Sequence, residues 1–374
     1  MSMKMVIRVD SSLQIGSGHV MRCLTLADHL KETGCDISFV CRDHPGNVSA
    51  LVEDKGYEVH RLPAVEDDSR KATQSGHEYK HWLGTNQATD VAQTMEVLSR
   101  FKAQVGWLIV DHYALSEEWE KVLRPHVTGI FVIDDLANRK HDCDILLDQN
   151  LNQSGSSRYE NLVPPDCQVL AGPRFALLRN EFTQAAESSR ERDGQIKHLL
   201  VFFGGVDSAN ETLKACRAIL SSGCSDLAVD IVVGASNPNK NAVNEFCERH
   251  DMFEYHCQVS NIAELMSKAD LCLGAGGTTT WERAYLGLPT IILPVAENQV
   301  EGTKAMAAAG AAWDLGYASK VSENEIADAI SFALNDPEAV CRISRAARGL
   351  FGGDLKPGVE LVVDAMKEFR HAKT

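Results

Sequence analysis

The stretch Ser11–Leu30, SSLQIGSGHVMRCLTLADHL, sets a histidine directly behind two glycines. It follows a short apolar run, Val6 to Val9, and continues into a helical pattern. Gly16 and Gly18 permit a tight turn and a close backbone approach to a ligand. The helix after them presents free N–H groups at its start. His19 is therefore expected to be near-exposed and kept neutral by the positive helix end, as a general base requires. A helix-capping histidine with a purely structural role is the alternative reading of the same residues.

A second stretch, Gly274 to Gln299, reads GAGGTTTWERAYLGLPTIILPVAENQ. It follows an apolar strand and opens a helix, so Gly276, Gly277 and Thr278 could offer amides and a hydroxyl to a diphosphate. Glu282, one turn further in, could accept hydrogen bonds from a ribose diol, and the next strand delivers Asn298 and Gln299 to the same rim. In FFGGVDSAN, Gly204 and Gly205 again follow a strand, and Asp207 or Ser208 could cap the next helix. IVDHYAL places Asp111, His112 and Tyr113 at another strand end. Asp134 and Asp135 are adjacent on a strand and should point to opposite faces, which argues against joint chelation. His77 and His81 have helical spacing but no HExxH pattern, so no metal role is assigned to them. GxSxG and P-loop patterns are absent.

Strands must hold these turns in place. Nearly continuous apolar runs predict them at Met5–Val9, Asp36–Cys41, Glu58–Leu62, Trp107–Asp111, Gly129–Ile133 and Ile145–Asp148. A second series is predicted at His198–Phe203, Val229–Val233, Tyr255–Gln258, Leu271–Gly274 and Thr290–Pro294. Helices are predicted between them, including Met21–Thr33 and Ser116–Leu123, and Gly358–His371 closes the chain. Strand–helix alternation implies parallel, doubly wound sheets. The polar stretch Thr183 to Lys197 is read as a linker between domains 1–185 and 195–374, with a C-terminal helix free to pack back on the first domain. Ligands of such sheets bind outside the carboxyl ends of the strands, so a cleft between two such domains is expected to hold the substrate. Val65–Gly84 is read as a long loop or short irregular helices.

The chain has 374 residues, 44% hydrophobic and 24% charged, with a formal net charge of −15. That length suggests two domains with real cores. The acidic balance and the absence of long Lys/Arg runs argue against nucleic acid. Eleven scattered cysteines without a CxxC pair read as reduced thiols. No apolar run approaches the roughly 20 residues of a membrane span, and MSMKMVIRVD has no signal-peptide core, so a cytoplasmic protein is expected.

The segments RVDSSLQIGSGHVMRCLTLA, IVDHY, DCDILLDQN and GPRFALLRNEF together resemble the PseG family of UDP-2,4-diacetamido-2,4,6-trideoxy-β-L-altropyranose hydrolases of pseudaminic acid biosynthesis. The Gly276–Asn298 region is similar to the wider GT-B superfamily, including MurG-type transferases. The resemblance implies an α/β GT-B fold of two Rossmann-like domains. It implies His19 as general base, Tyr113 and Asn298 as further catalytic residues, Glu282 on the ribose and Arg179, of the ALLR motif, in substrate binding. It also implies metal-independent, inverting hydrolysis of a UDP-sugar with water as co-substrate and no cofactor. A GT-B transferase acting on an acceptor hydroxyl and a non-catalytic nucleotide-sugar module are the competing readings. Release of free sugar and UDP without an acceptor separates them. Neither the exact sugar nor the oligomeric state is read from the sequence.

Overall fold

The computed structural model describes residues 2–64, 79–187, 190–224, 226–352 and 356–373, with side chains as far as 369. His77 and most of the Val65–Gly84 loop expectation lie outside these residues. The chain divides into two compact units.

Unit one comprises Met1–Asn150, Ser154–Leu177 and Lys356–Thr374. Its strands are β1 (Lys4–Val9), β2 (Asp36–Arg42), β3 (Glu58–Leu62), β4 (Val105–Asp111), β5 (Val127–Ile133), β6 (Ile145–Asp148) and β7 (Gln168–Ala171). They form one parallel sheet in the order β3-β2-β1-β4-β5-β6-β7. The order reverses between β1 and β4, and such a reversal opens a crevice at the carboxyl ends of the two strands. Alternate residues feed two cores. Met5, Ile7 and Val9 pack under the helix Gly18–Glu32, together with Val359, Val362 and Met366 of the helix Gly358–Lys373. Val6, Leu108 and Val110 pack on the other face with Leu115 and Trp119.

Unit two comprises Leu151–Gln153 and Leu178–Leu355. Its strands are β8 (His198–Phe202), β9 (Ala228–Val233), β10 (Phe253–Cys257), β11 (Leu271–Gly274), β12 (Thr290–Ile292) and β13 (Trp313–Asp314), parallel in the order β10-β9-β8-β11-β12-β13. Here the reversal falls between β8 and β11. The helix Asn180–Glu187 straddles the end of the expected first domain but packs in unit two, because Phe182 is buried there among Leu200, Met266 and Leu286. Strands β7 and β13 were not expected. Both are short edge strands, with too few residues to show an apolar period.

Candidate active site

The turn after β1 is built by its own backbone. Ser12 Oγ accepts from the amides of Gln14 and Ile15, and the Gly16 amide donates to Ser12 O at 2.8 Å. Gly16 sits at φ +77°, a left-handed conformation that favours glycine, and this swings the chain into the helix that Gly18 begins. His19 is the second residue of that helix. The expectation of a near-exposed histidine is corrected here: His19 is only 8% exposed, and its Nδ1 lies 2.6 Å from Asp111 Oδ1 at the end of β4. The sheet order places β4 beside β1, so a carboxylate from one strand end meets a ring from the neighbouring turn.

Arg22, three residues along the same helix, closes the group. Its Nε and Nη2 donate to Asp111 Oδ2 and Oδ1 at 2.6 and 2.7 Å, and its Nη1 donates to Asp135 Oδ2 at 3.0 Å. The hydroxyl of Tyr113 donates to Asp135 Oδ1 at 2.5 Å, and its ring meets the His19 ring edge-on at 4.7 Å. The contacts therefore run in a closed circuit through His19, Asp111, Arg22, Asp135 and Tyr113. Burial disfavours the charge on Asp111, but Arg22 and His19 outweigh it and hold the carboxyl well below the usual range. Burial likewise opposes the charge on Arg22, and Asp111 and Asp135 more than offset it. Burial and the Asp111 charge push the neighbouring Cys23 thiol up, so it stays protonated and is no nucleophile.

Asp111 is ionised and can only accept, so the Nδ1–H of His19 donates to it. Arg22 Nη2, 3.1 Å from the same Nδ1, is then a close neighbour rather than a hydrogen-bond donor to it. With the proton fixed on Nδ1, neutral His19 presents Nε2 as an acceptor, and Nε2 has no hydrogen-bond partner among the described residues. His112, by contrast, turns away: its Nδ1 accepts from the Ala114 amide and its Nε2 lies 3.2 Å from Asp10. It belongs with Arg8, Asp10, Asp90 and Arg42, a buried ionic network on the other face of the sheet. Asp134 and Asp135, just past the end of β5, take different partners. Asp134 is held by Arg139, the Ala137 amide and Tyr159.

In unit two, Glu282 lies in the helix Thr279–Tyr285 and is buried. Arg179 donates to its Oε1 from Nε and Nη2 at 3.2 and 3.1 Å, while Oε2 is buried with no hydrogen-bond partner among the described residues. Burial raises the carboxyl above its usual value, against the pull of Arg179. A buried acceptor left without a donor is unusual, and it suits a ligand hydroxyl. Arg179 also pairs with Glu181 at 2.5 Å and lies over the Phe182 ring.

Gln299 is a brace rather than a free amide. Its Oε1 accepts from the amides of Gly276 and Val295 at 3.2 and 3.0 Å, so the Gly276 N–H expected to face a diphosphate is engaged internally. A Cβ on Gly276 would come within 2.4 Å of Thr303 Oγ1, so only glycine fits. Gly277 and Thr278 follow it and lead into the helix. Asn298 lies in the turn Glu297–Gln299, and its side chain makes no hydrogen bond among the described residues. Beyond β8, Gly204 has φ +92° with open space around it, and the Gly205 backbone runs so close to Gly234 that a Cβ on Gly234 would come within 2.2 Å of the Gly205 carbonyl oxygen. Asp207 accepts from the amides of Glu211 and Thr212, which makes it the cap of the next helix.

The structure thus groups His19, Tyr113, Gly16 and Gly18 in unit one. In unit two it groups Arg179 with Glu282, and Gly276 with Gln299. The sequence reading passed over Arg22 and treated Asp135 only as half of a doubtful metal pair. The i, i+3 spacing of His19 and Arg22 on one helix was the available signal. Among the described residues one group could hold a metal, Asp230, Glu254 and His256 on β9 and β10, with ligand atoms within 4.8 Å of one another. His81 is exposed in the turn Lys80–Leu83.

The UDP-2,4-diacetamido-2,4,6-trideoxy-β-L-altropyranose hydrolase of Campylobacter jejuni is 30% identical to this chain over 269 residues, which are 72% of this chain and 83% of that protein. The chain belongs to this hydrolase family. The spore coat polysaccharide biosynthesis protein SpsG of Bacillus subtilis is 23% identical over 93% of this chain and 94% of its own length. Residues 198–349 match the Glycosyltransferase family 28 C-terminal domain. Among solved structures, MurG of Acinetobacter baumannii aligns with a TM-score of 0.63 at 14% identity, covering 98% of this chain and all (100%) of its own. The glycotransferase of kitacinnamycin aligns with a TM-score of 0.67 at 15% identity, over 98% and 99% of the two chains. The fold of this hydrolase family member is GT-B, with two Rossmann-like parallel sheets. Among the described residues no helix is long and apolar enough to cross a membrane.

Proposed function

We propose that the protein hydrolyses a UDP-linked 2,4-diacetamido-2,4,6-trideoxyhexose to free sugar and UDP, in the cytoplasm, as a step of pseudaminic acid biosynthesis. The observation that carries the reading is the 2.6 Å contact between His19 Nδ1 and Asp111, which leaves Nε2 as the proton acceptor. Water attacks C1 of the sugar from the face opposite UDP, and Nε2 takes its proton. The C1–O bond to the diphosphate breaks with its electron pair on UDP, and the anomeric centre inverts, as in the base half of an inverting glycosidase. Asp111 stabilises the imidazolium that forms and remains ionised throughout. UDP is a good leaving group, so no strong general acid is required. Tyr113, fixed by Asp135, and Asn298, whose amide makes no hydrogen bond among the described residues, are assigned as further catalytic residues on the family resemblance.

Glu282 Oε2 is assigned to a ribose hydroxyl, and Arg179 to orienting that carboxylate and to the nucleotide. The turns at Gly204–Gly205 and Gly277–Thr278 approach the phosphates with backbone, Gln299 bracing the second of them. The reading is metal-independent because Arg22 already pairs with both Asp111 and Asp135, the carboxylates a divalent ion would otherwise bind beside His19. A transferase reading is less favoured, since the relative with 30% identity is named as a hydrolase.

The test is turnover of the UDP-sugar in H₂¹⁸O without acceptor. Label is expected on the released sugar and none on UDP, with EDTA making little difference. Label on UDP, or loss of activity in EDTA restored by Mg²⁺, would point to attack at phosphorus and refute the assignment.

A further inference from the structure

Three of the chain's tryptophans show two different fates. Trp107 and Trp119 are fully buried in unit one, and Trp119 Nε1 donates to Asp90 at 3.0 Å. Trp82 is only half-buried, and its indole N–H donates to nothing among the described residues. Yet Trp82 is held firmly. It sits in the turn Lys80–Leu83, whose Leu83 is 1% exposed in the core, and the Trp82 amide donates to Tyr79 O at 3.0 Å. Gly84 ends the turn at φ +67° against His44, where a Cβ would come within 2.7 Å of the His44 ring.

The indole is also placed where chemistry is expected. It stacks on Tyr113 with ring centroids 5.5 Å apart and an interplanar angle of 24°. It meets the His19 ring edge-on at 6.2 Å, and Tyr79 packs against its edge at 4.8 Å. A large aromatic face with a free donor, fixed beside the general base, is costly to leave in water and fits a ligand that is apolar on one side and polar at an edge. Deoxygenated, acetylated sugars have that character: a methyl group and acetamido methyls beside C–H faces, with amide carbonyls at the rim.

We propose that Trp82 is a specificity-determining residue for the sugar, its indole face packing on the apolar surface of the diacetamido-trideoxyhexosyl group and its N–H donating to an acetamido carbonyl. This rests on the hydrolase reading above and adds the residue that selects the sugar. The sugar is then recognised by stacking and one directed hydrogen bond, contacts of a different kind from those assigned to the nucleotide.

Trp82→Ala and Trp82→Phe separate the parts of this claim. Trp82→Ala should raise KM for the UDP-diacetamido-trideoxyhexose by roughly ten- to a hundredfold, the combined effect of lost apolar burial and one lost hydrogen bond. Its UDP affinity, measured by calorimetry, should stay within about twofold of wild type, as expected when uniform contacts to the nucleotide are kept. Its preference over UDP-N-acetylglucosamine, which has a hydroxymethyl for the methyl and a hydroxyl for one acetamido group, should fall by a similar factor. Trp82→Phe keeps a face without the N–H and should recover part of both. In wild type the UDP-sugar should quench tryptophan fluorescence beyond the effect of UDP, and Trp82→Phe should abolish that difference.

A folded Trp82→Ala protein with KM and selectivity within about threefold of wild type would overturn the assignment, because burial of a side chain that size is worth more. So would an extra quench that is absent in wild type or persists in Trp82→Phe. Failure of the wild type to hydrolyse the nucleotide-sugar would sink the hydrolase reading instead, and the quench comparison would still decide the role of Trp82.

Discussion

Replacing Asp111 by Asn isolates the feature on which the proposed chemistry depends. The carboxylate accepts from His19 Nδ1, from Arg22 Nε and Nη2, and from Cys23 Sγ. An amide of the same shape cannot accept from all of them. With its oxygen turned to Arg22, its NH₂ faces Nδ1 and draws the His19 proton to Nε2, the wrong tautomer for accepting a proton from water. Loss of a correctly poised general base typically costs about 10² to 10⁴ in rate, or roughly 3 to 5 kcal/mol in the barrier. Stability should fall as well. Breaking a buried ion pair costs about 3 to 5 kcal/mol, and Arg22 keeps Asp135 at 3.0 Å, so the lower end is expected. The assay is steady-state UDP release, with UDP affinity by calorimetry and melting by circular dichroism. UDP affinity should be unchanged. His19→Asn should lose turnover to a similar extent, and the double variant should be no slower than either single one, because the two residues act as a unit. Turnover of folded Asp111→Asn within about fivefold of wild type would refute the tautomer argument, since a base without its acceptor nitrogen cannot function that well.

Glu282→Ala should weaken UDP binding and raise KM by about tenfold while sparing kcat, since the ribose does not change in the transition state; unchanged UDP affinity in calorimetry would remove Glu282 from the ribose. Burial, with the charge of Asp135 nearby, pushes Asp148 up to about 7, against the Asn150 amide and Arg158. A carboxyl raised in the folded state binds its proton more tightly there than in the unfolded chain. Its contribution to stability is therefore complete below about pH 4 and is lost as the pH rises through about 7. Asp148→Asn should flatten this part of the melting-temperature profile between pH 4 and pH 8 and melt several degrees above wild type at pH 8. An unchanged slope would place the titration elsewhere.

Most of the architecture lay in the sequence because it is encoded locally. Central parallel strands such as Met5–Val9, broken only by Arg8, and Leu271–Gly274 are buried on both faces, so they read as nearly continuous apolar runs without any knowledge of their neighbours. The turn at Gly16–Gly18 and the histidine behind it were legible for the same reason, since a left-handed glycine before a helix is a property of a few consecutive residues. The edge strands Gln168–Ala171 and Trp313–Asp314 were not, because their short pairings depend on what lies beside them. The partners of His19 belong to this second kind. Asp111 is 92 residues away and Asp135 lies 113 residues from Arg22, and no local pattern joins them. Only the strand order, with β4 against β1 and β5 against β4, brings those strand ends together. It thereby turned a histidine expected to be near-exposed into a buried one whose proton is fixed by a carboxylate. The half-buried indole of Trp82 beside it had no sequence signal at all, for a tryptophan in a polar stretch is silent until the fold decides which ring it meets.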